Sequence, residues 1–285
     1  MTSEARRLMT DKEFDTFFEP YAKNAEKFYD AAYWRFADEL VKHHIRSMLS
    51  VEPGGNVVDA GGGTGRWANW LADEMGVSVC IADKSTAMLE QANQLIARRD
   101  DELVSTLHCD LEQSGTLGSE VYDGGISTYG VWSFVSDPVA AFRTVLIALK
   151  PGAVFLAMAH GYANALESKL NSGGASLEEI TMLRDTGIVK WADHVPSLRT
   201  FSSTTFAEAA EAAGFERLRM YGIGVVVHPG PEDFGYPYIS ESNISASLRN
   251  PDFFESALET EKLIAVRPEL VDRGTNLLIA LRKPS

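Results

Sequence analysis

The residues best able to do chemistry in this 285-residue chain gather first at Asp59-Ala-Gly61-Gly-Gly63-Thr-Gly65. Val57 and Val58 run into Asp59, and an apolar-periodic stretch through Trp67, Ala68 and Leu71 opens after the glycines. That order reads as strand, tight turn and helix. Glycine has no Cβ, so such a turn bends sharply and lets its backbone approach a ligand closely. In an open α/β sheet, a turn at the carboxyl end of a strand is where a cofactor lies. Two more carboxylates end the next two apolar runs, Asp83 after Ser78–Ala82 and Asp110 after Val104–His108.

The type and spacing of these groups discriminate between ligands. Dinucleotide sites use Gly-x-Gly-x-x-Gly to seat a pyrophosphate on a helix N-terminus. Here the spacing is Gly61-x-Gly63-x-Gly65, with Asp59 two residues before the first glycine. A carboxylate there repels a pyrophosphate and suits a cationic ammonium. Asp83 is placed to accept hydrogen bonds from both hydroxyls of a ribose, and Asp110 from an adenine amino group. Ammonium, ribose diol and adenine together describe S-adenosylmethionine better than NAD.

Around this set the chain reads as alternating strands and helices. Strands are expected at Asn56–Ala60, Ser78–Ala82, Val104–His108, Tyr122–Thr128 and Ala153–Ala159, then at Gly222–Val227 and Asn276–Leu281. Helices are expected over 65–75, 87–98 with Ser85 as N-cap, 138–149, 203–213 and 253–266. The rhythm implies a Rossmann-like α/β fold: a mostly parallel seven-stranded sheet with helices on both faces. The last strand is expected at an edge and antiparallel. Residues 11–49 read as helical, with breaks at Pro20 and Asp30 and an aromatic stripe through Phe14, Phe17, Phe18 and Tyr21. The stripe reads as core packing or as a cap over a cofactor, with Tyr29, Tyr33 and Arg35 near the hinge. The expected organisation is an N-terminal helical cap (1–52), a cofactor-binding core (53–160), an inserted lid (161–202) and a C-terminal completion of the sheet (203–285).

The chain resembles the class I S-adenosylmethionine-dependent methyltransferases. The resemblance rests on Asp59-Ala-Gly61-Gly-Gly63-Thr-Gly65, Asp83-Lys-Ser-Thr-Ala-Met88, Cys109-Asp110-Leu111, Tyr122-Asp123 and Leu149-Lys-Pro-Gly152. It covers residues 55–160 and is specific as an ordered set. It implies that Gly61 and Gly63 meet the methionine portion, Asp83 the ribose and Met88 the adenine, whose edge Asp110 and Leu111 read. Thr128 and Tyr129 would lie beside the sulfonium, and Arg35 would bind the methionine carboxylate through its guanidinium fork. A fainter similarity in the C-terminal part, including Gly222–His228 and Leu258-Glu-Thr-Glu261, points to bacterial tRNA carboxymethoxyuridine methyltransferases.

Methyl transfer asks the protein mainly to orient the nucleophile and exclude water. The loop Thr128-Tyr-Gly-Val-Trp-Ser-Phe-Val135 has no Asn-Pro-Pro-Tyr-like signature, and Tyr129 and Trp132 could form an aromatic wall for a cationic or planar acceptor. His160 and His228 are the candidate general bases, His160 also a candidate substrate contact. No residue set reads as a metal site.

Formal net charge is −14 and the chain is 45% hydrophobic, which disfavours a protein built to neutralise phosphate backbones. Cys80 and Cys109 are too few for a disulfide framework. No secretory leader or membrane span is read, so a cytoplasmic monomer or homodimer is expected. The leading expectation is methylation of O or N on a small molecule. The alternatives are a tRNA wobble-uridine methyltransferase and a non-catalytic S-adenosylmethionine-binding protein.

Overall fold

The computed structural model describes residues 8–285 apart from His194 and Tyr236, and apart from the side chain of Phe28. Residues 1–7, part of the stretch read as lacking a leader, lie outside the described residues. In chain order the elements begin with α1 (Asp11–Ala22), α2 (Ala25–Phe28), α3 (Ala32–Met48), β1 (Asn56–Ala60), α4 (Arg66–Met75), β2 (Ser78–Asp83) and α5 (Thr86–Ile96). Next come β3 (Val104–His108), β4 (Tyr122–Ser127), α6 (Val131–Phe134), α7 (Pro138–Ala148) and β5 (Leu149–His160). The chain continues through α8 (Tyr162–Asn171), α9 (Leu177–Thr186), β6 (Ile188–Val189), β7 (Leu198–Arg199) and α10 (Ser203–Ala213). It ends with β8 (Glu216–Ile223), α11 (Asn243–Leu248), α12 (Pro251–Ile264) and β9 (Asn276–Arg282).

Seven strands form one sheet in the order β3-β2-β1-β4-β5-β9-β8. The pairs among β1 to β5 are parallel, and β9 is antiparallel to both β5 and β8. The expected antiparallel last strand is therefore present, but it lies inside the sheet and β8 takes the edge. The reason is legible in burial. β9 carries Leu277, Leu278, Ile279, Ala280 and Leu281, all buried, as a strand covered on both faces must. β8 instead begins Glu-Arg-Leu-Arg, with its first residues exposed or half-buried, as an edge strand tolerates.

A second correction follows from the same region. The apolar run Gly222–Val227 is a strand only at its start: Gly222 and Ile223 close β8, which begins at Glu216, and Gly224 then turns the chain at φ +67°. The amides of Val225, Val226 and Val227 donate to the fully buried Glu261 carboxylate at 3.0, 2.8 and 2.7 Å. A side chain from α12 thus replaces the strand partner that these amides would otherwise need.

Two apolar layers flank the sheet. Trp132, Phe142, Phe155, Phe206 and Phe215 fill one side under α7 and α10. Leu40, Ile45, Trp67, Leu71, Ile81 and Leu156 fill the other, under α3 and α4. In the N-terminal part, Pro20 stays inside α1, whose start is fixed by a reciprocal Thr10–Glu13 capping box. α1 and α2 meet α5 through Phe18, Tyr21, Ala22, Ala25 and Met88. Residues 161–202 hold a small apolar cluster of their own, Ala165, Leu183, Val189 and Leu198, against which Phe134 packs. No helix among the described residues is long and apolar enough to cross a membrane.

Candidate active site

The three glycines of the turn after β1 all have positive φ, at +73°, +56° and +83° for Gly61, Gly63 and Gly65. Their open sides differ. A Cβ on Gly61 would stand 2.5 Å from Val131, and one on Gly65 would stand 2.5 Å from Ile81. Both glycines are therefore needed for packing. A Cβ on Gly63 would meet only the Met88 methyl, at 3.4 Å. Gly63 is the position where the turn leaves room.

Asp83, at the end of β2, braces this turn. One carboxylate oxygen accepts from the Gly63 amide at 2.9 Å and the other from the Ser85 amide at 2.8 Å. Burial raises its pKa, an effect these amide bonds only partly offset. Ser85 caps α5 by accepting from the Met88 amide, as its position suggested. Asp59 is fully buried; the Ala68 amide acts on it only weakly, and neither of its oxygens makes a well-formed hydrogen bond. Burial first, and the nearby Asp83 charge second, push its carboxyl up to about 7.

Arg66, the first residue of α4, places a half-buried cation at the site. Its guanidinium donates to Asp38 of α3 and lies 4.9 Å from the Tyr29 ring centre. Its Nη1 is buried with no partner. Asp38 also accepts from the Tyr129 hydroxyl at 2.7 Å. Burial pushes Asp38 up to about 6, against the pull of Arg66 and Tyr129. Tyr129 is held at φ +48°, a left-handed backbone that a tyrosine seldom adopts. Its ring lies 5.3 Å from Tyr29, 6.0 Å from Trp34 and 6.0 Å from Trp67, and Phe234 lies 5.4 Å from Trp34. Thr64 in the glycine turn donates to Glu26 of α2, tying the N-terminal helices to the turn.

The structure thus brings Tyr29 and Tyr129 together at one place, and Gly63, Asp83 and Met88 at the glycine turn. Thr128 is nearly buried beside Tyr129, and Leu111 is nearly buried in the core layer. Asp110 is half-buried and already engaged. It accepts from the Glu112 amide at 3.0 Å and pairs with Lys84 at 3.0 Å, and Lys84 also reaches Asp11 of α1 at 2.8 Å.

Two assignments change, those of Arg35 and Trp132, and the histidines find their places. Arg35 is exposed, on the solvent side of α3, and Arg66 is the arginine facing the cluster. Trp132 is fully buried and stacks on Phe142 at 3.8 Å with an 11° interplanar angle, so it is core and not an acceptor wall. His228 is drawn to Asn164 and Thr275, each 3.3 Å from its Nδ1, and burial lowers its pKa. His160 stays near the Tyr129 loop, with its Nε2 3.1 Å from where a Cβ on Gly130 would be. Burial pushes its imidazole down to about 4.

Arg66 and Asp38 were not singled out from the sequence, although each left a trace. Arg66 directly follows the third glycine, and Asp38 is the one acid among the buried positions of α3.

The profile of the methyltransferase domain family matches residues 33–219. A search of curated protein sequences gave no significant match. Among solved structures, one similar chain comes from the complex of the Haloferax volcanii Trm112 methyltransferase activator with a methyltransferase. It is 19% identical with a TM-score of 0.60, over 94% of this chain and 98% of that one. Another is an S-adenosylmethionine-dependent methyltransferase from Mesorhizobium loti, 19% identical with a TM-score of 0.54, over 90% and 99% of the two chains. A third is geranyl diphosphate methyltransferase in complex with S-adenosylmethionine, 14% identical with a TM-score of 0.54, over 87% and 85%. The family profile spans most of the chain and includes the glycine turn, Asp83 and Tyr129; the chain belongs to the methyltransferase domain family and is a class I S-adenosylmethionine-dependent methyltransferase.

Proposed function

We propose that the chain transfers a methyl group to an oxygen or nitrogen of a small-molecule acceptor, and that the groups around the glycine turn hold the donor. One observation carries the donor-site reading. An unpartnered buried carboxylate, Asp59, precedes the turn, and an unpartnered buried guanidinium nitrogen, Nη1 of Arg66, follows it. An amino-acid end, with its ammonium and carboxylate, satisfies both orphaned charges. The residues present therefore fit S-adenosylmethionine. Gly63 leaves the room, and Asp83 keeps a lone pair on each oxygen for ribose hydroxyls while bracing the turn. Met88, Leu111 and Asp110 line the adenine end in this reading, and Thr128 with Tyr129 the sulfur end.

When bound, the cofactor supplies a methyl group on a positively charged sulfur. The chain's own part is to orient the acceptor and keep water out. Tyr29, Trp34, Tyr129 and Phe234 form an aromatic enclosure suited to a planar or cationic acceptor. We assign the described N-terminal helices, up to residue 52, as its cap and the segment 161–202 as its lid, the latter anchored through Phe134. His160 stands neutral at physiological pH and serves as a hydrogen-bond partner rather than a strong base. The net charge of −14 and the aromatic rather than basic lining favour a small acceptor over tRNA. Geranyl diphosphate, named for one structural neighbour, is such an acceptor for that protein. Fold similarity at this level does not choose among acceptors.

Incubating the protein with methyl-labelled cofactor and cell extract, then separating the products by size, tests this. Label is expected in the small-molecule fraction. Label confined to RNA would overturn the acceptor class.

A further inference from the structure

A second concave site lies away from the glycine turn, on the far half of α3. It is a cleft of about 380 Å³ lined by His43, His44, Ser47 and Met48 of α3, Arg219 and Tyr221 of β8, and Lys262 with Val266 from α12 and its end. α3 thus serves two places. Asp38 faces the candidate active site, and His44 faces this cleft about 9 Å further along the helix.

The composition of the cleft runs against that of the chain. In a protein of net charge −14, every titratable group lining it other than Tyr221 is a lysine, an arginine or a histidine. Arg219 makes no side-chain ion pair or hydrogen bond among the described residues, so its guanidinium fork is free to receive an anion. Among the described residues Lys262 pairs only with Glu259, one helical turn away at 2.7 Å, a weak contact that an incoming anion can share. His44 is 2% exposed and stacks on Tyr221 with ring centres 4.0 Å apart. Its Nε2 has no partner. A buried polar atom without a partner is costly to keep, and a ligand acceptor would satisfy it. Burial pushes the His44 imidazole down to about 3, so it enters as a neutral ring able to donate one N–H.

We infer that this cleft binds a phosphate monoester, distinct from the donor and acceptor of methyl transfer. The phosphate's oxygens match the Arg219 fork, the Lys262 ammonium and the His44 N–H. Met48, Tyr221 and Val266 offer apolar surface to the body of the ester.

The test uses histidine-ring NMR on the full chain saturated with S-adenosylhomocysteine, so that binding is read apart from turnover. Inorganic phosphate, phenyl phosphate and phosphatidic acid vesicles serve as probes, with sodium chloride at matched ionic strength as the control for screening. Phenyl phosphate is expected to move the His43 and His44 signals saturably and to bind more tightly than inorganic phosphate. Arg219→Ala and Lys262→Gln, both on the surface, should each weaken that binding by about tenfold or more. Equal midpoints in the variants, or equal shifts with chloride, would overturn the site. Co-sedimentation with vesicles and no saturable response to phenyl phosphate would replace it with a membrane-binding surface.

Discussion

Helix phase separates Arg66 from Arg35. On α3, Arg35, Glu39, Lys42 and Arg46 recur at helical spacing on the solvent side, while Trp34, Ala37, Asp38, Val41 and Ile45 face inward. Arg46 in the outward row reaches Glu74 at 2.8 Å, and Arg35 stands exposed to water. Arg66 instead stands at the start of α4, tied to Asp38 and with one nitrogen unpartnered. Arg66→Ala should therefore weaken S-adenosylhomocysteine binding by about tenfold or more, whereas Arg35→Ala should leave it within about twofold. Calorimetry of the two variants decides the matter, and equal losses would restore the role to Arg35. Asp59 makes a separate prediction. Its folded pKa of about 7 lies above the usual carboxyl value, so the folded chain holds a proton that the unfolded chain has lost. This group's contribution to stability is full below about pH 4 and fades as pH rises through about 7. A cationic ammonium needs the ionised form, so cofactor affinity should climb as pH rises through about 7 and fall again once the cofactor's own ammonium, at about pH 8 or above, loses its proton. Asp59→Asn should bind weakly and show no such rise. A flat profile in the unaltered protein would remove Asp59 from the ammonium's partners.

At the scale of elements, buried carboxylates fasten segments of the C-terminal part where no ladder of backbone bonds exists. Asp233, fully buried, accepts from Ser242, Ser245 and the Gly230 amide, and its own carbonyl takes the Trp34 indole N–H at 2.9 Å. Gly230, Ser242 and Ser245 are thereby pinned through Asp233 to the start of α3. Glu261 does the same for Val225–Val227, with two amides on one oxygen and the third on the other. Glu261→Ala leaves all three without their acceptor and should cost roughly 2–4 kcal/mol of stability, read as a lower urea midpoint. Glu261→Gln keeps a carbonyl oxygen for two of them and should cost less. If both variants unfold at the unaltered midpoint, the carboxylate is not what holds this turn. These attachments were not legible locally. The apolar run Gly222–Val227 reads as a strand, because nothing within it announces that a glutamate from a distant helix will take its amides.

Across the whole molecule, the chain's own pattern was enough for the class of fold, the family and its cofactor. Period-two and period-3.6 apolar spacing marks most strands and helices, because burial of one face is a local property of the chain. The glycine turn is likewise local: positive φ at three positions within five residues demands glycine wherever the turn occurs. Ser85 does its work within a few residues of where it stands, so its place as a helix cap could be read in advance. Tertiary structure decided the rest. It set β9 inside the sheet, since strand order depends on which faces other elements cover. It took Trp132 into the core against Phe142, because an aromatic residue in a loop reads the same whether it lines a pocket or fills a layer. It engaged Asp110 with Lys84, and it paired Asp38 with Arg66 across two helices. Those partnerships join residues far apart in the chain, and packing alone chooses them.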